Sequence, residues 1–487
     1  MRMQIITSSI GVILKYIGLV ILAPIVFALL YGEMNSILPF IVASISAFLV
    51  GFLLDLKKVK EKEINEINRI EALATVFFAW VFFALVCTIP YLFYGFAPIN
   101  ALFEAASGVT TTGSTITVDY TLYPKTFFIY RAMTQWLGGM GIIILFVAIL
   151  PKFAVAGRQM FFAELPNVVE EKITPRIKHT ATWLWAIYIG LTVAQILLLK
   201  FVAKISLHDS ICYSFATLAA GGITTGTDAF VGDGNNVTLW IIIVFMFLAG
   251  TNFVLQYKVF IQRRFDAIFK NEEFLAYVGT LAVASLLIAF ILYTTSNVAP
   301  LKAITDAIFQ SVSMVTTTAF FSTDIQQWPA TAKILLFALM FIGACAGSTS
   351  GGIKIARWIF VFKYLKKEIS KIIHPKGVFP IKIEGVTVPE DVRLQLVAFM
   401  FFFFAIFGIS TLLVGLIEKD VVTALTGSIS TLSNTGVAFG PIIGPSGDFS
   451  TLQPLTKLIF IFNMLVGRLE LVPFLALLHK DAWTKRG

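Results

Sequence analysis

Charge is what this chain has least of: 13% of its 487 residues are Asp, Glu, Lys or Arg, against 57% that are hydrophobic. That balance excludes a water-soluble multidomain protein. Cysteine is nearly absent. Cys87, Cys212 and Cys345 are its three, in apolar or small-residue surroundings with no spacing for a disulfide framework or a metal site, so they read as packing residues. Histidine is confined to His179, His208, His374 and His479, all in or beside connecting segments, which leaves the apolar runs without an imidazole base. Also missing is the alternating ten-residue pattern of a membrane barrel.

Present instead are repeated apolar runs of about 20 residues, the length that crosses a bilayer as helix. They predict an all-α polytopic membrane protein with the lipid bilayer as its solvent. The first run, Ile10–Leu30, is too long and lacks the small-residue cleavage site of a signal sequence, so it is expected to be retained. A second span, Leu38–Leu54, follows, and then a charged segment from Leu56 to Ile70 that reads as a solvated helix. Eight further spans are expected in four pairs: Ile70–Phe93 with Phe127–Leu150, Trp183–Val202 with Leu239–Ile261, Phe274–Tyr293 with a broken Ala332–Lys366, and Val397–Leu416 with Leu455–Leu478.

A net charge of +9 invites a nucleic-acid partner, but the distribution of basic residues gives a simpler account and no nucleic acid is expected. Leu56–Ile70 carries five Lys/Arg, Pro151–Thr180 five, Tyr257–Glu273 four, Lys354–Arg393 nine and the tail after His479 three. The alternate connections hold one each, Lys125, Lys204, Lys302 and Lys419. By the positive-inside rule both termini and the basic loops are cytoplasmic.

Between the members of each helix pair lies an apolar stretch too short to span, ending in a loop of small or hydroxylated residues. The four loops align without gaps: Thr110-Thr111-Thr112-Gly113, Ala219-Ala220-Gly221-Gly222, Thr316-Thr317-Thr318-Ala319 and Ser433-Asn434-Thr435-Gly436. Thirteen residues before the last member of each stand Asn100, Asp209, Asp306 and Thr423, read as helix N-caps. The intervening residues, about 18 Å of helix, reach halfway into a bilayer from outside. Four such helices converging on an axis present about half a negative charge each at their C-terminal ends, and backbone carbonyls in the loops replace the water of a cation. The bland reading, helix packing or turns, explains most isolated Thr/Gly runs but not four equally spaced copies.

Three further features stand out. Ala319 sits where the other loops have glycine, at a position that favours left-handed backbone. Asp119, Asp228, Asp233 and Asp324 follow the loops and either draw cations to the mouth or serve as solvated turn residues. "GACAGSTSGGIK", Gly343 to Lys354, interrupts a span with small residues and reads as a loop inside the membrane. It is neither a phosphate cradle, since Lys354 does not directly follow the glycine and no strand precedes it, nor a hydrolase elbow, since Thr349 holds the nucleophile position between Gly347-Ser348 and Ser350-Gly351. Gly352 completes this plug below the filter. Arg468 lies mid-span in the last helix. It either faces the pore, where with Lys354 it gates cations, or pairs with Glu470.

These residues resemble the TrkH branch of the Trk/Ktr/HKT superfamily of potassium transporters. The resemblance covers essentially the whole chain and is carried by Arg131–Pro151 ("RAMTQWLGGMGIIILFVAILP"), Phe245–Phe253 ("FMFLAGTNF"), Gly343–Arg357 ("GACAGSTSGGIKIAR"), Met464–Phe474 ("MLVGRLELVPF"), the four loops and the two extra N-terminal helices. It implies four M1–pore helix–M2 repeats in pseudo-fourfold arrangement, divided here as 1–69 (two N-terminal helices and a cytoplasmic segment), 70–180, 181–273, 274–390 (with the gate loop) and 391–487. It implies potassium as the transported ion, held at the filter residues, with no covalent cofactor. It also implies a homodimer in the cell inner membrane, gated by cytosolic nucleotide-binding TrkA subunits. Gly113, Gly222 and Gly436 look like its filter glycines and Arg468 like its pore arginine. Ala319 departs from the family glycine, which leaves a sodium-permeable or nonselective relative as the alternative. An intramembrane enzyme using Ser348 or Ser350, or a scaffold for the regulator, are remoter alternatives.

Overall fold

The computed structural model of the chain describes residues 1–56, 59, 68–117, 119–149, 177–225, 235–296, 298–383, 386–440, 442–444, 449–469, 474, 477 and 483. The charged segment after Leu56 and the basic Pro151–Arg176 stretch lie outside these. Among the described residues everything regular is helical except one small hairpin, Lys382–Ile383 paired antiparallel with Val386–Thr387.

Among the described residues, six helices are long and apolar enough to cross a membrane: Met3–Tyr31, Met34–Leu54, Ile70–Phe93, Thr182–Phe201, Glu272–Thr295 and Val392–Glu418. Side chains such as Leu286, Phe290, Phe401 and Leu412 stand exposed on them, as helices facing lipid require. Lipid gives such helices no hydrophobic reason to associate, so small residues and polar contacts do it. The first two spans show both devices. A Cβ on Gly11 would lie 2.5 Å from the Gly51 carbonyl oxygen, and Lys15 pairs with Asp55 at 2.6 Å.

Three of the remaining expected spans are interrupted. Lys125–Ile149 is helical with a non-helical residue at Gly141, φ 72°. Leu239–Ile261, expected as one span, is instead two helices, Asn236–Ala249 and Phe253–Phe260, bent by 103°. Asn252 causes the break: its Oδ1 accepts from the amides of Val254 and Leu255 and starts a new helix. The carbonyls freed at the bend are satisfied from outside the helix, Leu248 by Gln256 Nε2 at 2.6 Å and Gly250 by the Cys345 amide at 3.0 Å. In the third pair, Ala330–Leu339 and Ile355–Ile373 flank the expected loop. The last helix described is Pro454–Arg468.

A short helix stands between the two members of each pair: Pro98–Val109, Leu207–Leu218, Pro300–Val315 and Val421–Leu432. They begin earlier than the sequence reading placed them, and Asn100, Asp209, Asp306 and Thr423 are not their caps. Proline occupies the first helical position in the first and third, where its missing N–H is no loss. Ser206 and Asp420 cap the second and fourth, accepting from the amides of Asp209 and Thr423. The displaced residues make other contacts: Asn100 Oδ1 accepts from Lys457, Asp209 from Thr225, and Asp306 from Ser322.

Candidate functional site

Each short helix ends in one of the four quartets, and the four share an unusual backbone. The second residue is left-handed in every one: Thr111 at φ 55°, Ala220 at 56°, Thr317 at 57° and Asn434 at 54°. The fourth residue is left-handed too, Gly113 at 86°, Gly222 at 67°, Ala319 at 64° and Gly436 at 83°. A left-handed residue with a Cβ costs about 1–2 kcal/mol. Such a conformation persists only where surrounding structure over-determines it, and here it recurs at the same two positions four times.

The loops abut at their fourth residues. A Cβ on Gly113 would lie 2.1 Å from the Gly221 carbonyl oxygen, one on Gly222 1.7 Å from Thr318 O, and one on Gly436 2.0 Å from Thr112 O. Each glycine therefore lets the third-position carbonyl of a neighbouring loop approach. These contacts join first loop to second, second to third and fourth to first. Ala319 brings a Cβ to the corresponding place in the third loop.

The hydroxyls have structural employment. Thr110 pairs with Thr112 at 2.7 Å, Thr316 with Thr318 at 2.8 Å and Ser433 with Thr435 at 2.7 Å. The first of each pair also donates to the carbonyl one helical turn back, on Ala106, Val312 and Ile429. Asn434 Nδ2 donates to Thr112 Oγ1 and Met464 O, each at 2.9 Å, tying the fourth loop to the first and to the last helix. With these six hydroxyls so engaged, the loops' backbone carbonyls are groups able to replace the water of an ion.

Sequence reading missed a polar scaffold behind the first two loops. Glu104 and Arg131, both fully buried, form an ion pair. Glu104 accepts from the Ile116 amide at 3.0 Å and Arg131 donates to Thr115 Oγ1 at 2.6 Å, so the pair grips the chain just past Gly113. Gln135 reaches the second loop, donating to Gly221 O and accepting from the Ile223 amide. The sequence does carry a signal for the ion pair, since Glu104 and Arg131 are charges within apolar runs, as Arg468 is.

The Gly343–Lys354 segment is folded directly against the quartets. The Gly351 amide donates to Thr317 Oγ1 at 2.8 Å, and Thr349 Oγ1 donates to the Leu218 carbonyl at 2.9 Å. The carbonyl of Gly347 accepts from the Phe253 amide at the bend described above. Glu273 Oε1 accepts from the Ala346 and Ala356 amides at 2.6 and 3.1 Å, clasping the loop's two ends from the start of the Glu272–Thr295 helix. Ser348 donates to Cys345 O and pairs with Ser350, while Lys354 Nζ meets the carbonyl and hydroxyl of Ser350. Gly343 and Gly352 pack at the loop's neck, where a Cβ on Gly343 would strike Gly351 O. Arg468 closes the arrangement, donating to Thr349 O at 2.8 Å and to the Gly138 and Gly139 carbonyls at 2.7 and 3.0 Å. Its suggested partner Glu470 lies outside the described residues.

At the opposite end, Asp119 and Asp324 serve turns, accepting from the amides of Thr121 and Gln326. The Thr121 hydroxyl, and then its amide, hold the Asp119 carboxyl below its usual range. Asp228 and Asp233 lie outside the described residues.

Comparison with known proteins adds the following. A family model described as "TrkH: Cation transport protein" matches residues 40–482. The Trk system potassium uptake protein TrkH of Escherichia coli (strain K12) is 34% identical over 491 residues, 99% of this chain and all of the relative. The protein of the same name from Halomonas elongata is 32% identical over 492 residues, covering both chains completely. Among solved structures, the crystal structure of the potassium transporter TrkH from Vibrio parahaemolyticus matches with a TM-score of 0.88 at 30% identity, over 99% of this chain and 100% of that one.

Proposed function

The chain belongs to the TrkH family of cation transport proteins, and from that premise we propose that it takes up potassium through a filter made of the four quartets. It is a multi-pass membrane protein and a transporter, not an enzyme. The observation that carries the proposal is the left-handed backbone repeated at the second and fourth positions of all four loops. Ions enter from the side where the short helices begin, shed water against backbone carbonyls at the helix C-terminal ends, and meet the Gly343–Lys354 loop and Arg468 beneath. The proposed repeats are residues 70–180, 181–273, 274–390 and 391–487, with two helices within 1–69 preceding them.

The loop is the proposed gate. Hydrogen bonds from the Cys345, Phe253, Thr349 and Gly351 amides, the Thr349 hydroxyl, Arg468, and the two amides on Glu273 hold it. Each contributes about 1 kcal/mol net, and more where a charged group takes part, so opening requires a partner that replaces several of them. The proposed opener is a cytosolic nucleotide-binding TrkA subunit on the basic face, acting on a homodimer in the cell inner membrane with both termini cytoplasmic. Support for the Trk-system setting comes from the names of the relatives.

One observation favours a second reading, a sodium-permeable filter: Ala319 keeps φ 64° although it carries a Cβ where three loops need glycine. Rubidium and sodium flux into proteoliposomes separates the two. Rubidium in large excess supports the potassium filter; equal fluxes would abandon it for the alternative.

A further inference from the structure

The second quartet is built differently from its three counterparts. Position three is threonine in the others, Thr112, Thr318 and Thr435, each hydrogen-bonded to a hydroxyl at position one. In the second loop those positions are Ala219 and Gly221, and no hydroxyl pair exists. Ala220, Gly221 and Gly222 also make it the loop with least conformational restraint of its own, two consecutive glycines lying on either side of one peptide. Left to itself the peptide that carries the Gly221 carbonyl would flip readily.

Gln135 occupies the vacated space. It comes from the Lys125–Ile149 helix, is completely buried, and places its amide across the loop: Nε2 donates to Gly221 O at 2.5 Å and Oε1 accepts from the Ile223 amide at 3.3 Å. A Cβ on Gly221 would lie 2.5 Å from Gln135 Cδ. A side chain at 221 could be accommodated only by swinging the amide away and breaking both bonds. Glutamine at 135 therefore requires glycine at 221. The oxygen that Gln135 holds is also the one that Gly113 admits at the seam between first and second loops.

We infer that Gln135 is a positioning residue of the filter, an amide strap that fixes the Gly221 carbonyl in place of the hydroxyl pair the other three loops use. The inference rests on the filter reading above. It makes the second loop's geometry dependent on a residue of a different repeat, 86 positions earlier in the chain.

Two arms test it in proteoliposomes with the full-length protein. Gln135→Met keeps length and apolar packing but removes both hydrogen bonds. Its rubidium-over-sodium flux ratio should fall by about tenfold, with the yield of monodisperse protein unchanged; a ratio equal to that of the unaltered chain would overturn the inference. The second arm reads total cation flux. Gly221→Thr should abolish flux when Gln135 is present and recover it when combined with Gln135→Ala, because the side chain at 221 then has the space that the Gln135 amide occupies. Equal damage by Gly221→Thr in both backgrounds would overturn the strap. If the unaltered chain passed rubidium and sodium alike, the potassium reading would fall, and the second arm would still decide this inference.

Discussion

Arg468 Nη1 donates to the Thr349 carbonyl at 2.8 Å, joining the last helix to the middle of the intramembrane loop. The same guanidinium reaches Gly138 and Gly139 on the Lys125–Ile149 helix, so one side chain fastens three elements below the quartets. A planar fork with five donors suits this task better than an ammonium.

Arg468→Ala should therefore raise rubidium flux in the absence of any regulator. Losing a charge-assisted hydrogen bond of about 1.5–3 kcal/mol corresponds to an increase of roughly tenfold or more. Arg468→Lys should fall between the two. Unchanged or lower flux from well-folded Arg468→Ala protein would remove the residue from the gate.

Glu273 provides a second fastening, independent of Arg468. Glu273→Ala frees both the Ala346 and Ala356 amides and should raise basal flux. Glu273→Gln keeps an acceptor oxygen and should raise it less. The order Ala above Gln above the unaltered chain, measured as rubidium influx, is the expected result; equal fluxes in all three would show that the clasp does not bear on opening.

The glycine seams predict opposite effects for two substitutions. Gly113→Ser puts a Cβ about where the Gly221 carbonyl oxygen now lies and should lower the rubidium-over-sodium ratio. Ala319→Gly removes the Cβ from a left-handed residue, stabilising the loop by about 1 kcal/mol, and should raise that ratio. Flux ratios and a thermal unfolding midpoint check both. A ratio that does not change in either variant would contradict the seam argument.

The Glu104–Arg131 pair should behave as a buried ion pair does. Removing one partner, as in Glu104→Gln or Arg131→Met, leaves a charge or a donor stranded and costs about 3–5 kcal/mol. Removing both, in the double variant, should recover most of that stability. Because Thr115 and Ile116 then lose their anchor, the double variant should still select rubidium poorly. Thermal melts and flux ratios together test this, and a double variant as unstable as the singles would show no coupling.

Hydrophobic length and loop spacing made the helices and the four quartets legible in the sequence, since both are properties of local segments. The short helices were found where apolar runs were too short to span, although their starts were misplaced: proline at Pro98 and Pro300, and the caps Ser206 and Asp420, precede the polar residues that drew attention. The bend at Asn252 was missed because hydropathy does not register an N-cap within an apolar run. Gln135 and Glu273 are not legible for a different reason: each acts on backbone more than 70 residues away, and only the assembled fold shows which carbonyl or amide it meets. Arg468 was recognised as unusual, but its acceptors are main-chain carbonyls, which no side-chain pattern can announce.

The central claim is that backbone oxygens of the four quartets, and not acidic side chains, hold the ion. An ion-resolved structure of the protein in rubidium, with anomalous scattering used to place the cation, tests it most directly. The account predicts rubidium on the axis between Thr110–Gly113, Ala219–Gly222, Thr316–Ala319 and Ser433–Gly436, within coordination distance of their carbonyls. Rubidium bound only at carboxylates such as Asp119 or Asp324, with none between the loops, would contradict it.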